Sequence, residues 1–289
     1  MKRRARNAME EEELEENTFV PVETDEGDDA MEEINVDIFL ENQSENDYLE
    51  IKNFLLHSPL KYTGINLRTL TDILIKTEIG SVIKNSDNDT YGLAIPVDFE
   101  SLKVDGIYDD FCKYTINAFK QYNQEKLDFV QKVLSGEAGR RMLIVNERMV
   151  NCPSDLNSLL HNTIYEEIGI YDTEHHITQP VNYYVIAASC VKGLDDDDGN
   201  NDDEEQTVIR RKKKIHVSDE LEYLLMENQI YSKFAEAGVV VSVSSKDRWT
   251  LPGKVKDFIS IMIINSKQIS NILKEITDAF GTSKFTEEK

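Results

Sequence analysis

Segregated charge limits what this chain can fold more than any other feature. Of its first 33 residues thirteen are acidic and four basic, with runs such as Glu10, Glu11, Glu12 and Glu13. A second block, Asp195, Asp196, Asp197 and Asp198 followed by Asp202–Glu205, runs straight into the basic run Arg210–Lys214. Like charges at this density repel one another and have nothing apolar to bury. Both segments are therefore expected outside the core, as disordered, solvated stretches that receive a basic partner. Setting aside residues 1–33 and the charged insert 194–215 leaves 234 residues. That length supports a large hydrophobic core, and the expectation is one globular domain over 34–289 interrupted by the insert.

The whole chain holds 55 acidic and 32 basic residues, a formal charge of −23. A field of that sign repels nucleic-acid backbone and anionic lipid and attracts basic protein surfaces, so neither nucleic acid nor membrane is an expected partner. Cys112, Cys152 and Cys190 are far apart and form no C-x-x-C pair. A disulfide scaffold or zinc ribbon is therefore not indicated, and a reducing compartment fits best. The basic N-terminal residues lack a following apolar stretch, and no apolar run reaches the roughly 18 residues that cross a bilayer. Lys2–Arg6 and Arg210–Lys214 fit short nuclear import signals as well as they fit solvated charge runs.

Periodicity predicts strands over Ile34–Leu40, Gly80–Lys84, Tyr91–Phe99, Met142–Val145, Val181–Cys190, Gly238–Ser244 and Phe258–Ile264. Helices are predicted over Asp47–His57, Leu67–Thr77, Asp109–Phe119 and Asn123–Leu134. Further helices follow over Leu156–Ile168, from Ser218 to Ala235, and over Lys267–Phe280. Asn66 is placed to cap the second helix and Pro153 to start the fifth, whose Leu159, Leu160, Ile164 and Ile168 would share one face. Pro96 suggests a sheet edge or bulge. Hairpin-like strand pairs with interspersed helices give an α/β (α+β) class with one largely antiparallel sheet.

Signatures of chemistry are sparse. G-x-S-x-G, H-E-x-x-H and the P-loop are absent from the sequence. Adjacent His175 and His176 diverge more readily than they converge on a metal. A calcium-loop register with Gly199 in sixth position puts Leu194 where a carboxylate is required. Gly136–Arg141 precedes a strand instead of opening a helix, so it reads as a turn and not as a phosphate cradle. Glu147-Arg148, directly after an apolar strand, reads as a structural carboxylate–guanidinium bridge before an active-site pair. Trp249 reads as core packing.

The segment Glu147-Arg148-Met149-Val150-Asn151-Cys152-Pro153 resembles the Glu-Arg-x-x-Asn-x-Pro segment of the BCCIP family. Four further stretches agree in order: Ile34–Phe39 with Asn35 and Asp37, Gly80–Lys84, Tyr183–Ile186 before a charged insert, and Arg248-Trp249-Thr250. Asn146, Cys152 and Leu224-Leu225 depart from the usual Ser, Val or Met, and Phe-rich helix, which bears on partner specificity more than on fold. The resemblance implies a fold similar to GNAT acetyltransferases, a mixed, largely antiparallel sheet flanked by helices, but without catalysis, cofactor or metal. Consistent with this, the acetyl-CoA loop Arg/Gln-x-x-Gly-x-Gly/Ala is absent from the sequence.

Family members are nuclear or nucleocytoplasmic binding proteins. Fungal members act as chaperones of a large-subunit ribosomal protein and support nuclear export of a lipid kinase; animal members bind a recombination mediator and a cyclin-dependent kinase inhibitor. The resemblance thus implies a monomeric factor that shuttles between nucleus and cytoplasm, with a basic ribosomal protein as client and a lipid kinase and transport receptors as further partners. Contacts are expected at Glu10–Glu13 and Asp195–Asp198. The motif residues Asn35, Asp37, Gly80, Lys84, Glu147, Arg148, Asn151, Pro153 and Trp249 are expected to be structural. The competing functional classes are a GNAT-type acyltransferase and a scaffold in DNA repair or cell-cycle control.

Overall fold

The apolar run that begins at Val181 becomes the axis of the molecule. A computed structural model describes residues 38–149, 152–153, 155–195, 216–243 and 255–281. Glu10–Glu13, Asn35, Asp37, Asn151, Asp196–Asp198, both basic clusters and Trp249 lie outside these residues. Strands β1 (Ile38–Glu41), β2 (Ser81–Asn85), β3 (Thr90–Asp98) and β4 (Arg140–Arg148) precede the long β5 (Val181–Asp195). They are followed by β6 (His216–Tyr223), β7 (Ala235–Ser242) and β8 (Val255–Asn265). The sheet order is β1-β2-β3-β4-β5-β8-β7, with β6 paired to the second half of β5. Only the β4–β5 pairing is parallel among the described residues, and α5 (Asp155–Glu174) makes the crossover.

Helices cover both faces, which is why successive residues of the central strands are apolar. On one face α1 (Tyr48–His57), α2 (Leu67–Lys76), α3 (Ile107–Tyr122) and α4 (Leu127–Ser135) bury Leu93, Leu143, Val145, Val185 and Ile261. On the other, α5, α6 (Met226–Phe234) and α7 (Ile269–Phe280) bury Met142, Ile144, Tyr184, Ile186 and Met262. Alternate residues of β4 and β5 go to opposite layers, as the two-residue period of a strand requires. The result is a mixed α/β architecture with a largely antiparallel open sheet, as expected.

Several local expectations hold for the stated reasons. The Asn66 Oδ1 accepts the amides of Arg68 at 3.1 Å and Thr69 at 3.4 Å, capping α2. Gly136, at φ +88°, closes α4 and turns the chain into β4, so Gly136–Arg141 is a turn. Pro96 lies past the last β2–β3 partner, Ala94, where β3 has β4 alone beside it. The missing amide is tolerated there.

Two expectations fail. Residues 218–223 belong to strand β6 and not to a helix; the helix starts only at Met226. Pairing with Cys190–Asp195 of β5 overrides the local helical pattern of this polar stretch. Leu159 does not share the buried face of Leu160, Ile164 and Ile168 but is 44% exposed, one helical step of 100° away from Leu160.

At the β1–β2 end the motif residues Lys84 and Gly80 stand in well-defined surroundings. Lys84 and Asp47, both buried, pair at 2.6 Å, while the second Asp47 oxygen accepts from the Ser44 amide at 2.7 Å. Gly80 has φ +118°, and its amide donates to Glu167 at 2.7 Å while its carbonyl accepts from Asn42 at 3.0 Å. A Cβ there would sit 3.0 Å from the Ile95 Cα and 3.1 Å from the Ala94 oxygen. Gly80→Ala should therefore lose about 2–4 kcal/mol, from left-handed strain plus overpacking, as read by urea denaturation.

Candidate functional site

In open sheets with parallel strands, ligands settle at the carboxyl ends of strands that part company. Here β4 and β5 part after Ile144↔Ile186, and β6 joins the same edge of β5 only from Cys190↔Tyr223. The wedge left between β4 and β6 is closed by the start of α6. The Leu224 amide donates to the Ser189 carbonyl at 3.1 Å, and Leu225 and Glu227 are buried.

The Glu227 carboxylate, with no accessible surface, is the centre of this closure. One oxygen accepts from Asn146 Nδ2 at 3.3 Å and Arg148 Nε at 3.2 Å. The other accepts from Arg148 Nη2 and Asn157 Nδ2, both at 3.1 Å. Burial pushes this carboxyl up, but the hydrogen bonds and charge of Arg148 outweigh it, and its pKa lies below the usual carboxylate range. A carboxylate so saturated with donors is held ionised and makes a poor proton acceptor. Room for the Arg148 stem comes from Gly92 on β3: a Cβ there would lie 2.6 Å from that of Arg148.

The closure continues as a polar ladder between α5 and α6. Asn157, His161 and Tyr165 are spaced four residues apart and face Glu227 and Tyr231, also four apart. The Tyr231 hydroxyl lies 2.9 Å from His161 Nδ1 and 3.1 Å from the Tyr165 hydroxyl. Burial drives the His161 pKa down to about 4, so its ring is neutral at neutral pH. Beside these bonds, the buried Asn146 Oδ1, Asn157 Oδ1, Asn228 Oδ1 and His161 Nε2 have no hydrogen-bond partner among the described residues.

Glu147 and Arg148 do not pair with each other, contrary to expectation. As strand neighbours they point to opposite faces, and Arg148 finds its carboxylate 79 residues away in Glu227. Glu147 keeps some accessible surface but lacks a hydrogen-bond or ion-pair partner among the described residues. Burial, and then the Glu227 charge, hold its pKa well above the usual carboxylate range. Pro153 lies exposed just before α5, and Asp195 ends β5 opposite His216.

Elsewhere the described residues offer little chemistry. His175 stacks on Tyr171 with centroids 4.0 Å apart, and no group of three or more His, Cys, Asp or Glu among the described residues converges to hold a metal. Burial raises the thiols of Cys112 and Cys190 to about 11 and about 12, so both are protonated at neutral pH. Sequence reasoning missed Glu227, Asn157, His161 and Tyr231. The available signal was their four-residue spacing, a polar stripe running beside each apolar one.

Comparison with known proteins follows the same outline. A family model described as BCCIP matches residues 33–231. Protein bcp1 of Schizosaccharomyces pombe is 28% identical over 141 residues, covering 47% of this chain. The match spans 50% of that relative's length. The crystal structure of BCP1 from Saccharomyces cerevisiae superposes with a TM-score of 0.57 over 84% of this chain and 88% of that one. At 17% identity, this is a likeness of fold.

Two outcomes test the closure. Arg148→Met should cost about 3–5 kcal/mol by stranding the Glu227 charge, and adding Glu227→Gln should recover at least half of that loss in chemical denaturation. Because the folded His161 value of about 4 lies below the unfolded 6.5, the unfolded chain binds this proton first. Stability is therefore lost as pH falls from about 6.5 towards about 4, by roughly 3 kcal/mol for this group, and His161→Gln should remove that component in urea titrations across the range.

Proposed function

The chain belongs to the BCCIP family, and from that premise we propose that it is a non-enzymatic nuclear chaperone and transport factor. It shields a basic client, of which a large-subunit ribosomal protein is the best candidate, supports ribosome biogenesis, and accompanies cargo such as a lipid kinase to the export machinery while shuttling between nucleus and cytoplasm. A ribosomal protein away from the ribosome carries an RNA-seeking basic surface, and an acidic host that covers it prevents wrong contacts and speeds encounter.

The observation that carries this reading is α5. Its twenty residues hold five carboxylates and no lysine or arginine. Asp172 is committed to Arg140 and Glu167 to the Gly80 amide. Outward, Glu166 and Glu174 rim a shallow groove floored by Gly169, Ile170 and Thr173, with Ile170 53% exposed. The last turn of α5 carries no base, so acidic groups sit at the negative end of the helix dipole. A basic amphipathic segment fits all three features: charge against the rim, an apolar residue on Ile170, and a cation at the helix end.

Binding of a basic ribosomal protein recovered from nuclear extract is expected to weaken by roughly tenfold or more between low and moderate ionic strength. Glu166→Lys with Ile170→Ser should weaken it further at fixed salt, measured by titration calorimetry. An affinity indifferent to both would overturn the reading.

A further inference from the structure

A sheet that ends in the open leaves a row of backbone amides and carbonyls unpaired. Proteins ordinarily blunt such an edge with lysine, proline, a bulge or a covering element. Among the described residues the main path of the sheet ends at β1 on one side and at β7 on the other. β1 is a short edge of four residues. β7 has eight, and residues 235–243 (Ala-Glu-Ala-Gly-Val-Val-Val-Ser-Val) include no lysine, arginine or proline. Its one irregularity lies at the start, between Ala235 and Ala237; from there to Ser242 it runs in unbroken register along β8.

Two contacts fix which backbone groups of β7 face outward. The Val243 amide donates to the Asp257 carbonyl of β8 at 3.0 Å, so Val241 and Val239 also turn their amides and carbonyls towards β8. On the opposite side the Gly238 carbonyl accepts from the Asn123 side chain, at the end of α3, at 2.9 Å. Gly238, Val240 and Ser242 therefore point their backbone groups away from the sheet. Asn123 covers the first of these. The outward amides and carbonyls of Val240 and Ser242 have no hydrogen-bond partner among the described residues.

The two faces of this edge differ. Val239 is buried, and Val241 and Val243 are partly buried against the core layer that α3 covers. Glu236, Gly238 and Ser242, on the other face, are exposed. A strand added here would meet an incompletely covered apolar layer on one side and a carboxylate among small residues on the other. An extended segment that alternates apolar and basic residues matches both. A second copy of this chain is the poorer match, because two chains each carrying −23 repel.

We propose that the outer edge of β7 receives an extended segment of the basic client as an added strand, paired through the backbone of Val240 and Ser242. This rests on the reading of the protein as a binder of basic clients, and it adds to the α5 groove a contact made by main chain.

The octapeptide Lys-Val-Lys-Val-Lys-Val-Lys-Val is the probe, used with the full chain. On binding it should slow hydrogen exchange of the Val240 and Ser242 amides by roughly tenfold or more, read by NMR. The same peptide N-methylated at every residue keeps its side chains and charge but has no backbone N–H to donate. It should bind roughly tenfold or more weakly by titration calorimetry. Val240→Pro removes an outward amide and no bond to β8, so it should keep the circular dichroism spectrum of the wild type and lose affinity to a similar extent. The comparison of the two peptides uses the wild-type chain and is decisive even where that variant is unstable. Equal binding of both peptides, unchanged exchange of both amides, or no binding of the unmodified peptide would overturn the added strand. None of these touches the basic-client reading, which stands or falls on the salt titration and the α5 variants. Slow exchange of both amides without peptide, together with sedimentation as a dimer, would overturn the proposal in favour of pairing between two copies.

Discussion

Beyond the end of the β4–β5 ladder, one buried carboxylate ties β4 to the two helices that cover the opening. Where β4 leaves β5, backbone hydrogen bonding ends and the sheet has nothing of its own with which to close the opening. Glu227 supplies the closure by accepting from Asn146 and Arg148 of β4 and from Asn157 of α5. Moving a carboxylate from water into protein costs several kcal/mol, and the site tolerates it because a guanidinium and two amides replace the lost hydration. Strand, crossover helix and the following helix are thereby fixed to one point, and Gly92 is part of the same arrangement, since a side chain there would displace Arg148. The tyrosine and histidine rungs behind Glu227 extend that connection into the layer beneath the sheet.

The excess of 55 acidic over 32 basic residues leaves the exterior acidic. Lys84, Arg140, Arg141 and Arg148 have side chains no more than 9% exposed, each turned towards a carboxylate. These four cations serve internal pairs. Outward carboxylates such as Glu166 keep their full field, and α5, without a base of its own, is the clearest instance.

Much of the architecture was legible because its signals are local. The cap at Asn66, the turn at Gly136 and the apolar runs of β5 and β8 depend on residues within a few positions of one another. Residues 218–223 were misread because a polar stretch takes its conformation from β5, more than twenty residues back across the insert. The same error hid the start of α6 and with it Glu227. Arg148 was seen as one half of a bridge, but the neighbouring Glu147 was the wrong partner. Adjacent strand residues face apart, and the right one lies 79 positions on, a distance over which no sequence period reports. At Gly80 and Lys84 the sequence carries no sign of the collision with Ile95 or of the buried pair with Asp47, since both partners are distant in the chain.

The pairing of Asp195 with His216 has an evolutionary corollary. Asp195 and His216 face each other across a single rung, so the distance that any connection between them must span is set by β5 and β6. Lengthening such a closed excursion is cheap, about 0.6 kcal/mol per doubling. The length and charge of this connection can therefore change at little cost to the strand pair that anchors it.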